Sequence, residues 1–514
     1  DPIRSPSKWF LCTLLLALIL RLVCWWAIDT IYRDSVGFIL DATRANQKSF
    51  LQDRYQEPIY PLAIFAVHKV LFPHEGRTEL LNSSGWELAA FTVTMISTVV
   101  CIWMLFAIGR LLHSPAAGLW AAFFLAIQPF AIRYTVHGLS EMPFMAVVLT
   151  GLYLTMISQT RKYGLLFLAG VTAMVLVLIR KEGIVLAGTI FLYLVFQRQF
   201  PSPPRTRSIL AFGAGFLTVL AAFLLIGGRF NWLGSYFEVL HWNRLAKTFS
   251  VASDGQPQYI LASLWMSSPY EFLIQPLAAW IKMSGFFPAI LFIVYLLRRR
   301  HLQVGKGAWL LSLYFVLHLA AVMTQMFRQE LRVTRYLFPP AVVTFPLAAI
   351  ALVEIIRRLN LKLGRPEDNR RVSAIISLVM ILALVPDSLK NSFPARRPQI
   401  RAAANWLTKN IPFDAVVFTD EVRAGFYCQC RWKPDTDFRW TLLFEPKTDP
   451  RPWFYACFHK NGDTKECAEA LEHIYASNYY GLKPYQTVAI NGHTLTIYQI
   501  VSRSPVPPTT QSAK

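Results

Sequence analysis

Residues 88–109 read LAAFTVTMISTVVCIWMLFAIG, a run with no charge, closed by Glu87 on one side and Arg110 on the other. As a helix this run is about 33 Å long, close to the ~30 Å of a bilayer's hydrocarbon core. Working outward, apolar runs of similar kind recur at about 9–28, 87–111, 116–132, 142–158, 164–180, 183–197, 208–227, 276–297, 308–326, 337–356 and 372–386. Segment 59–72 is apolar but would cover only about 21 Å as a helix, so it reads as interfacial or re-entrant. The chain is 54% hydrophobic and 16% charged, against about 25% charged in a soluble domain. This predicts an α-helical polytopic membrane protein with about eleven spanning helices and a C-terminal α/β soluble domain.

The net charge of +21 would suggest nucleic acid in a soluble protein. Here the basic residues sit in short loops between apolar runs, where they set topology and meet lipid headgroups, so no nucleic-acid partner is expected. One alternating set of loops carries Arg4 and Lys8, then Arg161 and Lys162, Arg198 to Arg207, Arg298 to Lys306, and Arg357 to Arg371. That set is expected to be cytoplasmic. The first run is read as a retained span and not a signal peptide. The N-terminus is then cytoplasmic, and loops 29–86, 133–141, 180–182, 228–275 and 327–336 face outward together with the C-terminal domain. The expected setting is a bacterial inner membrane with a periplasmic domain.

Three parts follow: a membrane module over 1–389, whose outer loop 29–86 carries interfacial helices, a soluble α/β domain over 390–502, and a disordered tail over 503–514 rich in Pro, Ser and Thr. Within the domain, 399–410 reads as an amphipathic helix, Ala415–Thr419 as a strand, and 464–477 as a helix. Gln486–Ile490 and Thr494–Ile500 flank Asn491-Gly492, a hairpin signal. Cys428, Cys430, Cys457 and Cys467 in this domain fit an oxidising compartment. If disulfides form, one or both of Cys428 and Cys430 are expected to bond Cys457 or Cys467, and the two are poorly placed to bond each other.

Three outward-facing features could carry chemistry. The first loop opens with Tyr32-Arg33-Asp34-Ser35 and reaches Gln56-Glu57-Pro58-Ile59-Tyr60-Pro61. An acid just beyond a span can become a better base through desolvation, or can simply pair with Arg33. The second feature is Arg133-Tyr134 followed by His137-Gly138-Leu139-Ser140-Glu141-Met142-Pro143. Here Ser140 could cap the next helix and Glu141 complement its dipole. The third is a set of cations on the outer side: Arg180-Lys181-Glu182-Gly183, and Arg328, Arg332 and Arg335. They suit phosphate recognition, or else pairing with Glu182 or Glu330 and snorkelling.

An acid after the first span, a Glu-Pro-x-Tyr-Pro segment, Ser-Glu-x-Pro-Phe opening the fourth span, Arg-x-Glu-Gly between the fifth and sixth, and Arg-Tyr-x-x-Pro-Pro opening a late span occur in one order. That order resembles the GT-C superfamily of polyprenyl-phosphate-dependent glycosyltransferases, particularly bacterial relatives of the dolichyl-phosphate-mannose protein mannosyltransferases and the aminoarabinose transferases. The resemblance implies transfer of a hexose or pentose from a polyprenyl-phosphate sugar to a glycan, lipid or protein acceptor at the outer face, with inversion. It implies Asp34 as catalytic base and Glu141 as the second acidic position. Arg335, Arg332, Arg180 and Lys181 would bind the donor phosphate, and Glu57, Tyr60, Arg133 and His137 the substrates.

The chain departs from the pattern at Asp34-Ser35, where many relatives have Asp-Glu, and at Gln56-Glu57-Pro58, where aminoarabinose transferases have Glu-Lys-Pro. The second departure disfavours lipid A modification. No metal constellation is visible, so no cofactor is expected and a divalent metal is disfavoured. Two other readings remain: a polytopic transporter or lipid flippase, and a non-catalytic lipid-phosphate-binding relative. The transporter would call for an inverted repeat and a pair of Gly/Pro-broken helices in matching halves, and the sequence signals neither.

Overall fold

The apolar runs become helices, and their ends fall where proline, glycine and capping side chains put them. In the computed structural model the described residues are 6–46, 50–51, 56–73, 83–158, 163–196, 202–227, 274–302, 304–305, 307–329, 334–362, 369–392, 398–412, 415–419, 422–428, 431–434, 452–460, 480–490 and 493–502. Arg332, the helix expected at 464–477, the Asn491-Gly492 turn, Cys430, Cys467 and the tail after 503 lie outside them. The described residues fall into two units, one of Asp1–Trp26, Asp41–Phe65 and Phe91–Ser392, the other of Ala27–Leu40, Ala66–Ala90 and Phe393–Lys514.

The first unit is helical. Its long helices are α1 (Pro6–Trp26), α4 (Ser83–Leu112, which starts in the second unit) and α10 (Ser202–Leu225). Each contains a stretch long and apolar enough to cross a membrane. Between them run α5 (Pro115–Ile127), α6 (Pro129–Val136), α7 (Glu141–Ile157), α8 (Tyr163–Ile179) and α9 (Ile184–Phe196). After α10 come α11 (Gln275–Ser284), α12 (Phe286–Arg298), α13 (Ala308–Gln329), α14 (Phe338–Val343), α15 (Phe345–Lys362) and α16 (Asn369–Ser392). The segment between α1 and α4 holds α2 (Arg33–Thr43) and α3 (Ile59–Leu71).

Three of the expected spans are broken. The pairs α5 and α6, α11 and α12, and α14 and α15 bend by 57°, 109° and 46°. By length and composition the described helices account for three spans, or six if each bent pair counts once, with shorter apolar helices beside them. The protein is thus an integral multi-pass membrane protein, with bent helices where unbroken ones were expected. Large apolar side chains stay exposed along α1 (Leu11, Leu15, Ile19, Leu22) and α10 (Leu210, Leu217, Leu224), as lipid contact requires.

Two of the breaks have a visible local cause. At the first, Gln128 ends α5 and caps α6: its side-chain oxygen accepts from the amides of Phe130 and Ala131, and Pro129 takes the first helical position. Bending there leaves carbonyls at the end of α5 inside the bundle, and Arg21 of α1, fully buried, reaches them. It donates to Ala126 O at 2.9 Å, Leu125 O at 3.3 Å, Ala17 O at 3.0 Å and Thr135 Oγ1 at 3.3 Å. Backbone that leaves the helix at membrane depth must find partners in protein, and Arg21 supplies them. At the second break Gly285 has φ +80, which a side-chain-bearing residue rarely adopts. Elsewhere α8 and α10 touch backbone to backbone: a Cβ on Gly170 would overlap Phe212 O, and one on Gly215 would overlap Phe167 O. Small residues permit such close approach between membrane helices.

The second unit contains α17 (Pro398–Asn410), α18 (Val422–Tyr427) and a five-stranded sheet of order β2-β1-β3-β5-β4. The strands are β1 (Val416–Thr419), β2 (Arg431–Pro434), β3 (Trp453–Lys460), β4 (Tyr480–Ile490) and β5 (His493–Ser502). Strand β1 is buried throughout and runs parallel to its neighbours β2 and β3, whereas β3–β5 and β5–β4 are antiparallel. The expected hairpin is present, its strands pairing from Ile490↔His493 outward. The buried stripe of α17 is Ile400, Ala403, Ala404 and Leu407, the amphipathic pattern read for 399–410. Cys457 is disulfide-bonded, and the buried Cys428 is a free thiol, so of Cys428 and Cys430 the former is not the one that pairs.

Candidate active site

The centre of the site is the turn between α6 and α7. The carbonyls at the end of α6 are closed by a Schellman motif, with Leu139 N bonded to Tyr134 O (3.0 Å) and Gly138 N to Thr135 O (3.1 Å). Gly138 has φ +62, the left-handed position the motif needs. The carbonyl of Gly138 accepts a 2.6 Å hydrogen bond from the buried Tyr60 hydroxyl, which ties α3 to this turn. His137, the C-cap residue, is buried.

Ser140 does not cap α7. It has helical φ and ψ and makes no side-chain capping bond, so its hydroxyl cannot reach forward to the α7 amides. It accepts instead from Arg180 Nη1 at 3.1 Å. The same nitrogen lies 2.9 Å from Glu141 Oε1, and Glu141, the first residue of α7, is only 3% exposed. The other side of the Arg180 guanidinium is a fork onto Glu182: Nε to Oε2 at 3.3 Å and Nη2 to Oε1 at 3.4 Å. The Lys181–Gly183 turn that places Glu182 presses against α8, where a Cβ on Gly183 would collide with the backbone of Leu176 and Val177. This close approach is why the Arg-x-Glu-Gly segment ends in glycine.

A second guanidinium joins from the Thr334–Leu337 turn before α14. Arg335 Nε is 3.9 Å from Glu141 Oε1, and its side chain keeps 34% exposure, against 13% for Arg180. The Tyr336 ring lies under both cations, with its centroid 5.2 Å from Arg180 Cζ and 5.6 Å from Arg335 Cζ. His318 of α13 meets Tyr336 O at 3.2 Å through Nε2. Burial works to raise the Glu182 carboxyl, but Arg180 more than offsets it and holds it below its usual range. At Glu57, just ahead of α3, burial wins and lifts the carboxyl. Its own backbone bond opposes the rise, Glu182 adds to it, and Arg180 and Lys181 oppose it.

The first unit therefore brings together Glu141, Arg180 and Arg335 directly, with Glu57 and Lys181 in their electrostatic field. Tyr60 and His137 meet the same turn through Gly138 and the end of α6. Arg133 is half-buried one helical turn before His137. Asp34 belongs to the second unit, exposed in the first turn of α2. Among the described residues no group of three or more His, Cys, Asp or Glu is arranged to hold a metal ion. Ser140, Glu182 and Tyr336 are site members given no binding role from the sequence, although each stands inside a motif that was read. Arg21 carried a plain signal that went unread, a lone cation in the apolar run 9–28.

Residues 74–226 match the family of dolichyl-phosphate-mannose-protein mannosyltransferases. Among solved structures, ArnT from Cupriavidus metallidurans, bound to undecaprenyl phosphate, superposes with a TM-score of 0.59 at 12% identity, over 96% of this chain and 98% of that one. The Archaeoglobus fulgidus oligosaccharyltransferase in its apo form gives 0.58 at 11% identity, over 98% of this chain and 75% of that one. Its complex with an inhibitory peptide and a dolichol-phosphate, under the name AglB, gives 0.52 at 11% identity, over 98% and 75%. No curated protein sequence matches. The fold is that of the GT-C superfamily of membrane glycosyltransferases, as the order of motifs implied.

Proposed function

We propose that this protein is a glycosyltransferase that moves a hexose or pentose from a polyprenyl-phosphate donor to an acceptor on the outer face of a bacterial inner membrane. The N-terminus is then cytoplasmic and the C-terminal domain periplasmic, a reading supported by the disulfide at Cys457. The observation that carries the function is the buried carboxylate Glu141 held between Arg180 and the partly exposed Arg335. It lies in a fold whose solved members carry undecaprenyl phosphate and dolichol-phosphate.

The cations divide by geometry. Arg180 is committed to Glu141, Glu182 and Ser140, so it holds the site together. Arg335, with Lys181 and Arg332, is the better ligand for the donor phosphate, since an accessible guanidinium can still turn toward it. Asp34 takes the proton of the acceptor hydroxyl as its oxygen attacks the anomeric carbon. The bond from that carbon to the phosphate oxygen breaks, and its electron pair leaves with the lipid phosphate. Fixed cations stabilise the charge that develops there. Glu57, Tyr60, Arg133 and His137 bind substrate.

The test is sugar transfer by the full chain in nanodiscs, from a panel of polyprenyl-phosphate sugars to an envelope extract, beside Asp34→Asn. Transfer by the parent that falls about a hundredfold in the variant is the expected result, the size of a lost general base. Equal transfer in both removes Asp34 as base. Donor binding without turnover in either makes the chain a lipid-phosphate-binding relative.

A further inference from the structure

The soluble domain does more than sit beside the first loop. In the second unit its helices α17 and α18 grip the backbone that leads into α2. Arg401 Nε donates to Asp29 O at 2.9 Å, and the Tyr427 hydroxyl accepts from Ile31 N at 2.9 Å. The two gripping side chains are stacked, with Arg401 Cζ 3.6 Å from the Tyr427 ring centroid. Both also converge on Glu87 at the start of α4: Arg401 Nη2 is 3.9 Å from Glu87 Oε2, and the Tyr427 hydroxyl hydrogen-bonds the same carboxylate. The Tyr427 hydroxyl thus gives its proton to an acid and its lone pair to an amide, which suits a phenol 7% exposed. Directly after the gripped residues, Tyr32 O accepts from Ser35 N (3.1 Å) and Val36 N (3.4 Å), opening α2. Asp34 lies in that first turn, three residues from the amide Tyr427 holds.

We propose that Arg401 and Tyr427 of the soluble domain are positioning residues for the catalytic base, anchoring residues 29–32 through Asp29 O, Ile31 N and Glu87 so that α2 presents Asp34 in one orientation. This rests on the assignment of Asp34 as base. A base misplaced by an ångström loses much of its effect. Four polar contacts and one cation–π stack converge here, and each of the four polar contacts joins residues more than 300 positions apart in the chain. A peripheral domain with no part in presenting Asp34 would not call for that convergence.

The experiment uses the full chain in nanodiscs and two readouts. Tyr427→Phe keeps the ring and its stack and removes only the hydroxyl, while Arg401→Leu removes the grip on Asp29, with Arg401→Lys as the conservative variant. Hydrogen exchange over residues 29–38 is expected to quicken about tenfold in Tyr427→Phe and Arg401→Leu, the effect of one or two lost hydrogen bonds. The kcat for transfer is expected to fall about tenfold with the donor KM within twofold of the parent, and Arg401→Lys to recover part of the loss. In an Asp34→Asn background neither substitution is expected to lower kcat further, because both act through Asp34. Unchanged exchange overturns the anchoring and leaves the base assignment intact. Losses that add in full to Asp34→Asn overturn positioning in favour of a general structural role. If Asp34→Asn transfers sugar as well as the parent, the base assignment fails and takes the catalytic half of the proposal with it, whatever the exchange shows.

Discussion

Arg180→Met should destabilise the protein by about 3–5 kcal/mol at pH 7, the range found when one member of a buried ion pair is removed. The figure can be worked from the geometry. Arg180 faces one oxygen of Glu141 at 2.9 Å and both oxygens of Glu182 at 3.3 and 3.4 Å. At an effective dielectric near 20, each such pair is worth roughly 5 kcal/mol of gross attraction, much of it offset by the cost of burying the ions. What remains after the substitution is decided by the carboxylates. Glu141 keeps Arg335 at 3.9 Å, but Glu182 loses its guanidinium partner. Glu182 can escape by taking a proton, and that caps its cost: from the ordinary value of 4.5 to pH 7, at about 1.4 kcal/mol per unit, the cap is about 3.5 kcal/mol. The sign follows from the parent, where Glu182 is held below its ordinary value. Its stabilising contribution is present above pH 4.5 and fades as pH falls through the depressed value. The gap between parent and variant should therefore shrink on acidification. The assay is thermal unfolding in nanodiscs by intrinsic tryptophan fluorescence at a series of pH values. A variant within about 1 kcal/mol of the parent at pH 7, or a gap that widens toward acid, would refute the reasoning.

Three further outcomes are expected. Arg335→Gln should leave the melting temperature near that of the parent, because its side chain is a third exposed, and should raise the donor KM about tenfold, measured by transfer at varied donor concentration. Arg21→Met should cost about 1–3 kcal/mol by the same unfolding assay, because the buried Ala126 O loses its Arg21 donor and Leu125 O keeps only the amide of Gln128. Gly170→Leu should push α8 from α10, read as a lower melting temperature, because the site has no room even for a Cβ; Gly164→Ala, with nothing within 4 Å of the added carbon, should be neutral.

Much of the fold was legible because a membrane imposes one rule on sequence: a run of apolar residues must become a helix that satisfies its own backbone. Residues 142–158 and 164–180 were read almost to their ends, since α7 and α8 stop where charged loops begin. The breaks at Gln128, Gly285 and Thr344 were not read, because a bend needs only a cap or a glycine plus a distant partner. For the first break that partner is Arg21, over a hundred residues away. The hairpin of β4 and β5 was legible from alternation and turn chemistry, whereas the parallel pairing of β1 with β2 and β3 was not, since register between distant strands leaves no local mark.

The candidate site shows the same division. Composition and the spacing of apolar runs determined by themselves that this is a membrane protein, and the order of the motifs, which resembles that of the GT-C superfamily, picked out Glu141, Arg180 and Arg335 as chemistry-bearing side chains. Only the tertiary structure decided how they are used. It set Ser140 as a partner of Arg180 and not a helix cap, committed Arg180 to two carboxylates, and left Arg335 accessible. The physical reason is that hydropathy is summed along the chain and survives in one dimension. A charge's role is set by its neighbours within about 4 Å, and here those neighbours arrive from α7, from the turn after α8 and from the turn before α14.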